Sequence, residues 1–278
     1  MIAVNGVAVC LLFGVSSVWG QDAPPAREMG TPRVAENVPV VAPEHPLTPV
    51  IRWAERSRPA IVAIKDYTAT MQKQENIGGE VQEAQIMEVK VRQQPFSVYV
   101  KVRYPQKVNG QESIYIKEQN DGKAIAHGVG FQKTFGTQKL DPESMFMMSG
   151  HKYPITEMGI LNLLDKLLEV GYKDSKFNEC TVTYTEGVKL FKDTPSMREC
   201  TMIEVKHPVP RTHFMFHIAR IFVDNELNLP IRYESYEWPR REGEQPKLIE
   251  AYVYRDLKIN VGLTDADFDP ANPAYAFP

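Results

Sequence analysis

The stretch that decides the fold is Gln85 to Tyr104, QIMEVKVRQQPFSVYVKVRY. In its second half Phe96, Val98, Val100, Val102 and Tyr104 share one face of an extended chain, and Ser97, Tyr99, Lys101 and Arg103 share the other, because successive strand side chains point to opposite sides. The first half alternates as well, with Met87, Val89 and Val91 against Glu88, Lys90 and Arg92. Gln93, Gln94 and Pro95 separate the two runs, and a proline cannot donate to a β-ladder. The pattern predicts a β-hairpin in a sheet with an apolar inner face and a charged outer face.

Upstream, Asp66 to Met71 reads as a strand, and Ile77-Gly78-Gly79-Glu80 as the turn into the hairpin. Thr48 followed by Pro49 marks a helix start, with Val50, Trp53 and Ala54 at helical spacing and Pro59 expected to kink or restart it. Downstream, Asn109-Gly110 is a turn before a strand at Glu112 to Lys117, Asn120-Asp121-Gly122 is another, and Ala124 to Gln132 is a further short strand. A second helix spans Ile155 to Val170, capped by Thr156 and stopped by Gly171, with Ile160, Leu161, Leu163, Leu164, Leu167 and Leu168 in one broad apolar stripe. Cys180 to Phe191, Glu199 to His207, Thr212 to Asp224, Ile231 to Trp238 and Leu248 to Lys258 then read as strands with tight turns between them. Tight turns mean antiparallel neighbours, since parallel crossovers need a dozen residues or more. The expected class is α+β, mainly antiparallel: eight or nine strands in a curved sheet or half-open barrel, with two helices covering its apolar side.

The chain has 278 residues, 43% of them hydrophobic, and a formal net charge of −3, which argues against a nucleic-acid footprint. Residues 1–20 carry no charged side chain and hold an apolar run from Val7 to Val15; Val18 and Gly20 suit a cleavage site before Gln21. The run is too short to span a bilayer, so residues 1–20 read as a signal peptide and the mature chain as exported, to the periplasm or envelope space, with no transmembrane segment. Residues 21–46 are rich in proline without apolar periodicity, a tether to a single domain over 47–278. Cys180 and Cys200 flank an expected hairpin; in an oxidising compartment they are either a disulfide or two buried thiols.

Chemistry-bearing patterns are sparse. His213 and His217, four apart, would share a helix face, but on a strand they lie about 13 Å apart. Asp265, Asp267 and Asp269 alternate as in a calcium loop, yet Pro270 replaces its glycine and no glutamate closes it; a helical turn docked by Phe268 is the expectation. Glu234, Glu237 and Glu250 stand near Arg232, Arg240, Arg241 and Lys247 in sequence and read as surface ion pairs. Ser149-Gly150-His151 is no triad, and neither GxSxG nor a glycine-rich phosphate loop occurs. No catalytic residue, metal site or cofactor is expected.

Five stretches, DYTATMQKQE (66–75), VKVRQQPFSVYVKV (89–102), DPESMFMMSGHKYPITEMGI (141–160), FVDNELNLPIRYESYEWP (222–239) and YVYRDLKINVGLTDADFD (252–269), resemble a bacterial exported family, domain of unknown function 1571. The layout, and the ending N-x-G-L-x-D-x-x-F at Asn260 to Phe268, also resemble the periplasmic lipoprotein-carrier (LolA-like) fold. That resemblance implies a half-open barrel with helices on its concave side, and it carries over no catalytic residue. The leading expectation is a non-catalytic binding protein sheltering a lipid or lipoprotein acyl chain against Phe96, Val98, Val100, Val102, Ile160, Leu163, Leu164 and Leu167. The alternative is an envelope interaction or sensor module with a filled barrel, contacting another protein through Tyr233, Tyr236, Trp238 and Arg240.

Overall fold

The structure, a computed structural model, describes residues 44–278; the expected signal peptide and nearly all of the tether lie outside the described residues. The helices are α1 (Thr48–Val62) and α2 (Ile160–Asp174). The first seven strands are β1 (Asp66–Ile77), β2 (Glu80–Val81), β3 (Gln85–Arg92), β4 (Ser97–Tyr104), β5 (Glu112–Ile116), β6 (Ala124–His127) and β7 (Gln138–Leu140). After α2 come β8 (Thr181–Leu190), β9 (Arg198–Lys206), β10 (Ile218–Asp224), β11 (Pro230–Tyr236) and β12 (Leu248–Ile259).

All twelve strands join one antiparallel sheet in the order β7-β6-β5-β4-β3-β1-β12-β11-β10-β9-β8, with β2 paired to β1 outside that path. Two meanders therefore meet at the centre, where the first strand pairs the last: Met71 stands opposite Met87 on one side and Tyr254 on the other. The edges β7 and β8 do not pair, so the sheet stays open.

The hairpin is where the alternation placed it. Met87, Val89, Val91, Val98, Val100 and Val102 are all buried. The expected wet outer face is not wet throughout, because Tyr99 is also buried. The chain after β12 folds back over that face: Tyr275 stacks on Tyr99 with centroids 4.0 Å apart, and Phe268 is buried with Ile114, Ile116 and Ile125. The ending motif does this anchoring. Gly262 and Leu263 donate backbone N–H groups to the Asp66 carboxylate at 3.0 and 3.1 Å, and Asn260 Oδ1 accepts from the Lys65 backbone at 2.8 Å. Thr264 and Asp267 form a reciprocal capping box on a short turn, Asp265–Phe268, that Lys90 and Arg92 hold by ion pairs to Asp267 and Asp265. The three aspartates thus serve a helical turn docked by Phe268.

Several local expectations are corrected. Leu47, not Thr48, occupies the cap position of α1, and the helix runs through Pro59. Pro59 is on the exposed side, where water can serve the carbonyl it leaves unpaired. The second helix begins later and ends later than expected. Thr156 sits in a separate short turn, Ile155–Glu157; Gly159, at φ 120°, precedes α2, whose first N–H (Ile160) donates to the Tyr67 hydroxyl at 3.0 Å. Gly171 is inside α2, not at its stop, and a Cβ there would lie 3.3 Å from Ile51 Cγ1; the missing side chain lets α1 approach. Residues 212–217 form turns rather than the start of β10, and β7 was not anticipated.

Cys180 and Cys200 are both free and buried. Cys200 faces Val188, so it lies about 25 Å from Cys180 at ~3.3 Å per strand residue, far beyond the ~7 Å a bridge allows. They sit at opposite ends of the hairpin rather than across it.

Candidate functional site

The two helices lie on the apolar side of the sheet without filling it. They leave a cavity of about 960 Å³ whose walls come from both meanders: Met87, Val100 and Val102 from β3 and β4, Ala126 from β6, and Val205, Ala219, Ile221 and Tyr233 from β9 to β11. One space lined from β6 round to β9 requires the sheet to curl. Val50, Ile51 and Ala54 of α1 and Leu163 and Leu167 of α2 supply the helical wall, so most of the lining is apolar.

The β1–β12 part of this wall carries a buried charged patch, apart from the charged residues that α2 brings to the lining, Asp165, Lys166, Glu169 and Asp174. β1 carries Lys73 and Glu75 at alternate positions, both pointing inward, and their side chains are 7% and 4% exposed. Lys73 Nζ donates to Glu75 Oε2 at 2.8 Å and lies 2.7 Å from His151 Nδ1. The Tyr252 hydroxyl donates to Glu75 Oε1 at 2.6 Å, and the Lys152 backbone N–H to Oε2 at 3.1 Å. Lys152 Nζ lies 2.8 Å from Glu250 Oε2 on the neighbouring strand β12. Burial alone would raise the Glu75 carboxyl; Lys73, Tyr252 and the backbone donor outweigh it and hold it below the usual carboxylate range. Burial, helped by the Lys73 charge, pushes His151 down to about 4, so its ring is neutral and Nδ1 accepts from the ammonium. Burial and then Glu250 raise the Tyr153 hydroxyl, and Tyr252 is raised by burial, Glu250 and Glu75, so both phenols keep their protons.

A second polar pair borders the cavity at the end of α2. Asp174 Oδ2 lies 3.5 Å from His207 Nε2, and both residues are almost fully buried. His207 Nδ1 lies 3.2 Å from the Phe216 carbonyl, which assigns the ring proton to Nδ1 and leaves Nε2 an acceptor. Asp174 Oδ1 has no hydrogen-bond partner among the described residues. Burial raises Asp174 to about 6 and lowers His207 to about 4.

The sequence-predicted residues divide. Val100, Val102, Leu163 and Leu167 line the cavity. Val98, Ile160 and Leu164 are buried in the core beneath it, and Phe96 packs against that core, because Gly159 and the start of α2 close this end against Tyr67 and Val91. Of the contact residues, Tyr233 is buried and faces the cavity, and Trp238 spends its indole N–H on the His207 carbonyl at 2.9 Å. Tyr236 lies under the Arg220 guanidinium, whereas Arg240 is exposed. Glu234 pairs with the half-buried Arg220 and Arg232 as expected, but its own carboxylate is buried rather than on the surface, and Glu250 is a cavity residue. His213 stacks on Phe177 and His217 bonds the His207 backbone. No group of three His, Cys, Asp or Glu placed to hold a metal occurs among the described residues. Sequence reasoning missed Lys73, Glu75 and His151. The available signal was Lys73 and Glu75 on the buried phase of β1, in register with Tyr67, Ala69 and Met71.

A family model described as "Protein of unknown function (DUF1571)" matches residues 64–277. The chain belongs to the DUF1571 family. No curated protein matches this DUF1571 chain. Among solved structures it is similar to a DUF1329 family protein from Desulfovibrio piger, at 14% identity, covering 81% of this chain and 97% of that one, with TM-score 0.38. It is also similar to the lipoprotein LppX of Mycobacterium tuberculosis, at 11% identity, 80% and 100% coverage and TM-score 0.41. A third is a LolA superfamily protein from Nitrosomonas europaea, at 10% identity, 78% and 96% coverage and TM-score 0.33. The fold as described rests on the chain's own strand pairings.

Proposed function

We propose that this protein is an exported, non-catalytic carrier that shelters an amphipathic lipid or lipid-modified peptide, its acyl chain in the cavity and its polar head at the Lys73–Glu75–Lys152–Glu250 patch. The observation that carries this reading is a space of about 960 Å³ with a mostly apolar lining, into whose sheet wall a buried charged patch of Lys73, Glu75, Lys152 and Glu250 is set. Its volume lies at the upper end of the range for ligand sites. A sixteen-carbon chain leaving water would contribute about 12 kcal/mol gross at ~0.8 kcal/mol per CH₂, before the costs of ordering and association. The charge-free apolar residues 1–20 support export.

Lys73, Glu75 and His151 do bring three titratable groups into one cleft, which is the arrangement a hydrolase would need. Their bonds speak for an anchor. His151 Nδ1 is engaged by an ammonium rather than a hydroxyl or thiol, and both Glu75 oxygens are occupied. The test is native mass spectrometry and solvent extraction of mature protein purified gently from envelopes. Bound lipid or acyl peptide is expected, and Leu163→Trp with Leu167→Trp should lower its occupancy several-fold while the protein stays folded. Ligand-free protein with no uptake from vesicles overturns the carrier. Ester turnover abolished by His151→Ala overturns the non-catalytic part.

A further inference from the structure

Between β6 and α2 the chain places large apolar side chains in water. Phe131, Phe135, Met145 and Phe146 are 79%, 59%, 90% and 57% exposed, within a stretch of sixteen residues. The Phe131 and Phe135 rings pack edge to face with centroids 5.6 Å apart, so two of them form one ridge. Soluble monomers rarely display such clusters unless something covers them. What distinguishes this one is its position. Phe135 and Phe146 are exposed and also line the cavity, together with Leu140 and Met147 from the same segment. At Phe135 and at Phe146 the exposed apolar surface of this segment is therefore continuous with the apolar wall of the cavity, and the four side chains together are called the ridge.

We propose that this ridge is a membrane-docking surface, inserting Phe131, Phe135, Met145 and Phe146 into the outer layer of a lipid bilayer so that the cavity opens directly onto it. The continuity argues for a bilayer: an apolar ligand crossing this rim stays against apolar surface only if its source is continuous with the ridge. Three of the segment's polar side chains are also spent on its own backbone. Thr134 bonds the Phe131 carbonyl, Ser144 bonds the Asp141 carbonyl, and Asp141 accepts from the Glu143 backbone. They offer a protein partner little directional recognition. Lys133 and Lys139 are balanced by Asp141 and Glu143, so the attraction is apolar rather than electrostatic. The proposal rests on the carrier reading only for its purpose; docking itself is independently measurable.

The test is flotation of the full mature chain with vesicles of phosphatidylethanolamine and phosphatidylglycerol, and with phosphatidylcholine alone. The variant is Phe131→Ser with Met145→Ser, two exposed residues outside the cavity lining. The control is Tyr184→Ser with Met197→Ser, exposed elsewhere. Wild type and control should float with both lipids and still do so in high salt, and the variant should bind at least ten-fold less. Wild type that does not float, or a variant that floats equally, overturns the proposal. So does a ridge-dependent dimer that ignores vesicles, which would assign the surface to a second copy. Lipid extracted from the same preparations separates the two ideas: bound lipid without flotation removes only the docking, and flotation without bound lipid removes only the carrier.

Discussion

Replacing Lys73 by methionine tests what holds charge inside an apolar wall. The substitution keeps an apolar stem and removes the ammonium, so its cost is electrostatic rather than a void. Breaking a buried ion pair by removing one partner costs about 3–5 kcal/mol. Glu75 would keep the Tyr252 donor at 2.6 Å and the Lys152 backbone donor at 3.1 Å, and hydrogen bonds to a charged group contribute about 1.5–3 kcal/mol each. The donors that remain bring the expected loss to the bottom of that range or just below it, about 2–3 kcal/mol near neutral pH. The pH dependence gives the sign. In the wild type the folded Glu75 pKa is depressed, so its stabilisation is present above the unfolded value of about 4.3 and is lost as pH falls below it. Without Lys73 the burial penalty opposes fewer compensations and the folded pKa rises. The folded state then binds the proton more tightly, and each unit of rise costs about 1.4 kcal/mol at neutral pH, regained on acidification. Urea denaturation at about pH 7.5 and about pH 5 reads both. The variant should lose about 2–3 kcal/mol at the higher pH and under about 1 at the lower, and adding Glu75→Gln should recover at least half the neutral loss. Equal losses at both pH values, or less than about 0.5 kcal/mol at neutral pH, would refute the account.

Other outcomes follow from particular contacts. Asp174→Asn replaces a buried carboxylate raised to about 6 by an amide that can donate to His207 Nε2. Because the folded pKa is raised, the penalty exists above about pH 6 and fades toward pH 4, so urea curves should show a gain of about 1–2 kcal/mol near pH 8 that vanishes near pH 4. Gly171→Ala meets Ile51 Cγ1 at 3.3 Å but gains helix propensity, so its melting temperature should stay close to wild type. Gly171→Leu should instead cost about 1–3 kcal/mol by forcing α1 and α2 apart. Reductant should leave the urea midpoint unchanged, since Cys180 and Cys200 are free. Both thiols should react with a thiol reagent only on unfolding, because burial raises both, Cys200 to about 11. Rapid reaction in native buffer would contradict that.

Period-two alternation and turn chemistry by themselves determined the antiparallel meanders and the hairpin at Gln85–Tyr104, and helical spacing of apolar residues determined the two helices, because these depend on neighbours a few residues apart. The docking of Phe268 was legible for the same reason: a capping residue, an acidic turn and one large apolar side chain stand together in sequence. Everything that required distant partners was decided by the tertiary structure. Tyr99 occupies the wet phase of its strand and is buried because Tyr275, far along the chain, folds onto it. Gly171 reads as a helix stop until Ile51 of another helix claims the space of its absent side chain. Cys180 and Cys200 look bridgeable by loop length, yet strand register sets them at opposite ends of the hairpin. Glu250 reads as a surface carboxylate until the pairing of β1 with β12 and the return of Lys152 bring it inside. Which of the greasy residues line a space and which fill one depends on how far the helices sink into the curled sheet. That depth is set by the summed packing of both meanders, which no local pattern encodes.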